Sequence, residues 1–236
     1  MRFSIIIPTL NEQTLIVECL GKLQQAFKSN TLTREHAEII VSDGGSSDRT
    51  EALAEGLADR VLAGPAGRAK QMNRGAKYAY GEILIFLHAD TVLPEQALNS
   101  INHALNEGAY WGRFDIRLSG SHVMLKVIAA LMNLRSRWTG IATGDQAIFV
   151  SRKAFDAVGG FPDIALMEDI ALSKSLKKWG KPACLIDRVV SSGRRWENYG
   201  LYRTILLMWS LRLRYFLGSH PETLAYLYRT GKLWKP

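Results

Sequence analysis

The chain has 236 residues, enough for one large domain or two small ones. Hydrophobic residues at 47% and charged residues at 22% exclude extended disorder and leave ample material for a core. The formal net charge of +8 suits an anionic small molecule, an anionic membrane surface or nucleic acid, and it suits plain solubility equally well.

The first ninety residues alternate between two patterns. Phe3–Ile7 is a short apolar run ending at Pro8, as a buried parallel strand would. Leu15, Ile16, Cys19, Leu20, Leu23 and Phe27 recur at helical spacing. Glu38–Ser42 is a second apolar run, and Asp48 with Glu51 three positions on predicts a capped helix through Leu57. Arg60–Ala63 reads as a third strand, and Ala69, Met72, Ala76 and Ala79 as a helix. Glu82–Leu87 reads as a fourth strand, before a helix over Pro94–Glu107. Repeated β–α units call for a mainly parallel, twisted α/β sheet with helices on both faces and right-handed crossovers.

The pattern changes near residue 110. Gly112, Phe114, Ile116 and Leu118 alternate with Trp111, Arg113, Asp115 and Arg117, which predicts a half-exposed strand. An amphipathic helix over Ser121–Arg135, a strand over Gln146–Val150, a helix within Ala165–Trp179 and a strand over Ala183–Val190 follow. From Tyr199 the chain reads as helical and dense in Arg, Trp and Tyr. No repeat or long linker interrupts it. The expected organisation is one domain over 1–198, its 1–108 half facing a ligand and its 109–198 half facing a second substrate, with a helical tail over 199–236.

Cys19 and Cys184 have neither a CxxC partner nor a nearby His at metal spacing, so they read as core residues of a reduced, cytoplasmic protein. Met1–Ile7 runs at once into Pro8 and polar residues, which is unlike a signal peptide. The greasiest stretches, Val123–Leu134 and Thr204–Leu217, are broken by Lys126 and by Arg212 and Arg214, short of the ~18–20 apolar residues a span requires.

Ligands of open α/β sheets bind beyond the carboxyl ends of the strands. Pro8-Thr9-Leu10-Asn11-Glu12 follows the first strand and Asp43-Gly44-Gly45-Ser46-Ser47-Asp48 the second. Gly64 through Lys70 follows the third, and His88-Ala89-Asp90-Thr91 the fourth. These residue types suit a nucleoside diphosphate. Asp43 can accept from a base N–H or a ribose hydroxyl, and Arg68 and Lys70 can meet phosphate oxygens. Asp90 with His88 offers ligands to Mg²⁺ or Mn²⁺. Taken singly, each has a plainer explanation: turn chemistry at Asp43, solvated charge at Arg68 and Lys70, a hydrogen-bonded strand-end histidine at His88. Their shared placement is the stronger signal.

Ile5 through Glu12, Val41 through Thr50, Asp90, Gly144-Asp145-Gln146, Met167-Glu168-Asp169 and Arg194-Arg195-Trp196 together resemble the family 2 glycosyltransferases of the GT-A fold. The likeness covers roughly Ile5 to Trp196 and is nearest the small single-domain bacterial group that includes the carotenoid-type (diaponeurosporenoate) enzymes. It implies a Rossmann-like domain taking a nucleoside-diphosphate sugar, with UDP the family's habit, and inverting transfer to a hydroxyl or carboxyl acceptor, a small molecule or a lipid or isoprenoid. Pro8, Thr9, Asn11 and Glu12 would line the nucleotide pocket, Asp43 would contact the base, and Arg68 and Lys70 the ribose or phosphates. Asp90 stands at the last Asp of the family's DxD metal motif. His88 replaces the first carboxylate, which puts the metal requirement in doubt. Asp169, beside Glu168, takes the place of the catalytic base, and Arg195 and Trp196 resemble a motif that closes over the diphosphate. The duller account of Glu168-Asp169 is two acids at a positive helix N-terminus.

Asp145 and Gln146 can hydrogen-bond the sugar or acceptor, or can simply form a turn. The tail's Trp209, Tyr215, Phe216 and Tyr226 with Arg203, Arg212, Arg214 and Arg229 suit a membrane interface. An ordinary packed amphipathic helix, or a homodimer contact, suits them as well. A nicotinamide dehydrogenase would need Gly-x-Gly-x-x-Gly after the first strand, and a nucleotidyltransferase a Gly-rich basic loop there; both are absent. Carboxylates on these loops oppose nucleic-acid binding. A catalytically inactive nucleotide-binding or scaffold protein of the same fold remains the main non-enzyme alternative, because of His88.

Overall fold

In a computed structural model that describes residues 2–29, 36–194, 196 and 200–232, the apolar runs form one eight-stranded sheet. Its strands are β1 (Phe3–Thr9), β2 (Ala37–Asp43), β3 (Arg60–Ala63), β4 (Ile83–Phe86), β5 (Thr91–Val92), β6 (Trp111–Ser119), β7 (Ile148–Ser151) and β8 (Ala183–Ser192). The spatial order is β3-β2-β1-β4-β7-β6-β8-β5. β1 pairs in parallel with β2 on one side and β4 on the other, so the strand order reverses between β1 and β4. That reversal opens a crevice beyond their carboxyl ends. β7 runs antiparallel to both β4 and β6, while β6 and β8 are parallel.

Period-two alternation along the central strands separates two cores. Ile5, Ile7, Ile83 and Ile85 face α1 (Ile16–Ser29) and α4 (Ala97–Asn106), whereas Ile6, Leu84 and Phe86 face α3 (Arg68–Tyr78), α6 (Arg152–Ala157) and α7 (Glu168–Leu176). Helices therefore cover both faces, as continuous apolar strands require. The tail forms two helices, α8 (Leu201–Phe216) and α9 (Pro221–Thr230). Leu207, Leu211, Leu224 and Leu227 pack against Leu166, Met167 and Ile170 at the start of α7.

Three expectations change. The helix after Asp48 is α2 (Thr50–Ala54), one short piece. The Asp48 carboxylate holds the Thr50 N–H and hydroxyl and the Gln13 N–H, so it staples two loops instead of building a capping box with Glu51. The two-residue β5 and short α6 carry too little periodicity to be read.

β6 is not half-exposed: Trp111 through Ile116 are buried on both faces. Arg113, fully buried, bonds Asp115 and the Ser136 hydroxyl, and Arg137 grips the other side of Asp115 with two bonds of 2.6 and 3.0 Å. Asn133 closes the same seam by pairing both amide groups with the backbone of Ile116. The charges that suggested solvent instead dock α5 (Met124–Thr139) onto β6. Burial opposes the Asp115 charge, but its bonds to Arg137 and Arg113 outweigh this and hold the carboxyl below its ordinary pKa. Replacing Arg113 with Ala leaves Asp115 short of a buried partner. The expected loss is about 3–5 kcal/mol, read as a fall in the urea midpoint with unchanged slope.

Candidate active site in the crevice between β1 and β4

The loops after β1 and β2 hold each other in shape. Asp43, fully buried, accepts from the N–H groups of Gly45 and Ser46 at 2.8 and 2.7 Å and from the hydroxyls of Ser46 and Thr9 at 2.6 and 3.0 Å. The Asn11 side-chain oxygen accepts the Ser47 N–H, and the Asn11 N–H donates to the Ser46 hydroxyl. Asp43 and Asn11 thus build the crevice wall, and neither lines its open space.

The opposite wall is the first turn of α3. Gly67 (φ 135) lets the chain enter the helix, and its N–H donates to Gln71. Buried Gln71 in turn donates to the carbonyls of Thr9 and Ser42, tying α3 to both loops. A β-carbon on Gly44 would lie 3.1 Å from the Gln71 amide, so glycine permits this approach. Arg74 bonds the Ser42 hydroxyl and the Asp43 carbonyl. Burial lowers the Arg74 pKa, and Asp43 partly restores it. The free amides of a helix start, with Arg68 and Lys70 beside them, make an anion-binding wall.

Between these walls lies a cavity of about 660 Å³, lined by Pro8, Thr9, Glu12, Arg68, Lys70 and Glu168 among others. A smaller pocket of about 90 Å³ shares Arg68, Glu168 and Tyr228 with it and adds His88, Asp145, Asp169 and Arg212. The two form one continuous depression. Helix α9 closes its outer side with Ala225, Tyr228 and Arg229.

Glu168 and Asp169 open α7; Glu168 lines both pockets and Asp169 the smaller one. Asp169 accepts the N–H groups of Gly144 at 3.0 Å and Ile170 at 2.7 Å, and Glu168 lies 3.8 Å from the Arg68 guanidinium. Burial raises the pKa of both carboxyls. For Glu168 the neighbouring Asp169 charge adds to the rise and Arg68 opposes it; for Asp169 the two amide bonds and Arg68 oppose it. Burial also opposes the Arg68 charge, but Tyr228, Glu168 and Asp145 outweigh it and raise the Arg68 pKa.

His88 turns toward Asp145, with Nδ1 3.2 Å from the carboxylate, and its Nε2 lies where a Gly144 β-carbon would fall at 2.4 Å. The non-glycine residues with positive φ among the described residues are Asn11 (55°), Ala147 (48°) and Met167 (71°). Each sits in a loop that carries the site, as strained backbone often does.

Asp90 sits just outside the cavity lining. The Glu12 pKa is raised by burial and by the Asp90 charge, against the pull of Arg194, His88 and Arg68. Glu12 and Asp90, close enough for their charges to interact, are hard-oxygen donors that suit Mg²⁺ or Mn²⁺ when phosphate oxygens complete the shell. Among the described residues no three acidic, imidazole or thiol groups converge to hold a metal by themselves.

Most residues singled out from sequence meet here: Pro8, Thr9, Glu12, Arg68, Lys70, His88, Asp145, Glu168 and Asp169 line one depression. Gln146 does not. It is fully buried and accepts from Thr143, holding the turn that presents Asp145. Trp196 packs on the core, and Arg195 lies outside the described residues. Sequence reasoning passed over Gln71, Arg135 and Tyr228, and read Arg212 as part of the basic tail and not of the site. Gln71 was visible as a polar residue on the apolar face of α3. Arg135 lies close enough to Asp169 and Asp145 to feel their charges, yet its Nε and one terminal nitrogen are buried without a partner among the described residues. Burial lowers its pKa and Asp169 opposes this.

The Glu168 shift has a testable sign. The folded state holds this proton more tightly than the unfolded chain, so ionising Glu168 costs stability as pH rises from 4.5 through the raised value. Glu168→Gln escapes that cost. Its melting temperature, compared with the parent's, is expected to gain as pH rises from 4.5 through the raised value and then level off. A constant difference over that range contradicts the assignment.

Comparison with known proteins places this geometry in a family. The family model described as "Glycosyl transferase family 2" matches residues 4–161. The chain is 34% identical over 119 residues to a GalNAc(5)-diNAcBac-PP-undecaprenol beta-1,3-glucosyltransferase of Campylobacter jejuni, covering 45% of this chain and 35% of that protein. It superposes on the mannosyltransferase PcManGT of Pyrobaculum calidifontis, solved with GDP-Man and Mn²⁺. The TM-score is 0.67 at 20% identity, over 98% of this chain and 70% of that one. It also superposes on Staphylococcus aureus TarS in complex with UDP, with TM-score 0.66 at 19% identity over 86% and 64%. The sequence match spans about a third of the length of the curated relatives. The fold is GT-A, and the match defines the family without a narrower group: the chain belongs to glycosyl transferase family 2.

Proposed function

We propose that the chain transfers a sugar, with inversion, from a nucleoside diphosphate to an acceptor hydroxyl or carboxyl group, with Asp169 as the base. The observation that carries this reading is the position of the Glu168-Asp169 pair: Glu168 lines both a diphosphate-sized cavity walled by an α-helix N-terminus and a second, smaller pocket, and Asp169 lines the smaller one. The donor occupies the larger space and the acceptor enters the smaller one. The relatives' names support both halves, since UDP and GDP-Man are bound by the structural neighbours and an undecaprenol-linked substrate is named for the Campylobacter relative.

The residues then divide the work. A carboxylate whose charge is disfavoured by burial takes a proton more readily, and two amide bonds aim Asp169 at the pocket. Glu168 keeps Arg68 in place, and Arg68, Lys70 and the α3 amides receive the negative charge of the departing diphosphate. Thr9 and Ser46, oriented by Asp43, present hydroxyls to the nucleoside. UDP is the favoured nucleotide. Asp145, braced by His88, and Arg212 meet the sugar or acceptor. Asp90, with Glu12 nearby, would hold a Mg²⁺ or Mn²⁺, which would neutralise diphosphate charge. His88 serves better as the partner of Asp145 than as a ligand. Among the described residues no helix is long and apolar enough to cross a membrane.

Asp169→Asn is expected to lower transfer by ~10²–10⁴-fold, while UDP still raises the melting temperature. Full turnover in that variant removes Asp169 as base. No transfer or hydrolysis of any nucleotide sugar by the parent, with or without Mn²⁺, favours the scaffold alternative. Asp90→Ala is expected to abolish the Mn²⁺-dependent part of UDP affinity in calorimetry; unchanged affinity rules out ligation there.

A further inference from the structure

Helix α5 buries Leu125, Ile128, Ala129 and Ser136, and α8 buries Thr204, Leu207 and Leu211. The opposite faces ought to be polar. Instead, Val127, Leu131, Leu134 and Trp138 form a solvent-facing stripe on α5, with Val123 one turn ahead. Tyr202, Leu206, Trp209, Leu213 and Phe216 do the same on α8. Spacings of three and four residues align each set within a narrow arc of its helix. Trp138 is 80% exposed and Trp209 67%, far from incidental contact with water.

The C-terminal ends of the two helices meet on one element, the last turns of α7: Lys177 bonds the Thr139 carbonyl, and Lys174 lies over the rings of Tyr215 and Phe216. Leu125, at the start of α5, packs against Gly193, and Leu201, at the start of α8, packs on the same core. Sixteen residues at ~1.5 Å each make each stripe about 24 Å long.

Charge selects the occupant. Neither helix contains Asp or Glu; with Arg135 and Arg212 turned to the site and Arg137 paired with Asp115, Lys126, Arg203 and Arg214 are left to flank the stripes. A second copy of this chain, seated on the same patch by a two-fold axis, would bring its own cations against these. An anionic bilayer surface instead offers apolar depth for the leucines, a headgroup layer for Trp and Tyr, and opposite charge. We infer that α5 and α8 together form a docking surface for an anionic membrane. α8 also lines the smaller pocket with Met208 and Arg212, so the docked face adjoins Asp169. The inference rests on this surface alone and stands or falls separately from glycosyl transfer.

The test is cosedimentation of the purified protein with vesicles of phosphatidylcholine alone and of equal phosphatidylcholine and phosphatidylglycerol. Binding to the anionic vesicles is expected to be at least ~10-fold tighter and to weaken as salt screens the charge. The double variant L131E/L213E should lose at least ~10-fold of that binding while keeping the parent's circular dichroism and melting temperature. Tyr80→Glu, at an exposed aromatic elsewhere, should keep both. Equal binding by parent and double variant overturns the inference, as does absence of binding to either vesicle. A parent dimer that L131E/L213E separates in sedimentation velocity, without vesicle binding, assigns the surface to a second copy instead.

Discussion

Two carboxylates cannot share a half-buried pocket unless amides and cations hold them there, and the arrangement of this site follows from that constraint. Glu168 and Asp169 begin α7, where the helix dipole favours negative charge. This favours them by well under the cost of burying two adjacent charges, so other groups must contribute. The Gly144 N–H reaches Asp169 because the preceding loop can approach His88 closely only with glycine at that position. Arg68 arrives from α3, and Arg135 from α5. Three elements far apart in sequence therefore converge on one dipeptide. The strained Met167 sets the angle at which it enters the helix.

The first half of the chain, through β4, was legible because local pattern and topology agree there. Continuous apolar runs make buried parallel strands, and in a sheet whose order reverses, the polar loops after β1, β2 and β4 must share a rim. Asp43 shows the limit of such reading. Its place on the rim was correct, yet its carboxylate turns inward to hold its own loop, because two backbone amides and two hydroxyls outbid open solvent. Residue type predicts which bonds a side chain can form; only packing decides which of them it forms.

The later half resisted for a different reason. Charges on β6 suggested water, but Arg113, Asp115 and Arg137 pair with one another over a sequence distance that no short window contains. The same holds for α5 and α8. Periodicity shows that a helix has an apolar face, and each of these has two, so the pattern alone could not say which one the core would take. Cys19 illustrates the simpler case: a small apolar-face residue read as core, buried, with its thiol pushed up to about 12 by desolvation and by the Asp90 charge.

The tail is therefore part of the site. Tyr228 on α9 is hydrogen-bonded to Arg68, the guanidinium that also faces Glu168 and borders both pockets. An anion that engages Arg68 must share it with Tyr228 or displace it, and either choice changes the field at Glu168 and Asp169. α9 packs on α8 through Leu224 and Leu227 against Leu207 and Leu211. Rigid packing of that kind passes a shift at one helix to the other, since close-packed apolar contacts do not compress. Arg68 and Tyr228 are thus the contact by which the tail helices join the lining of both pockets.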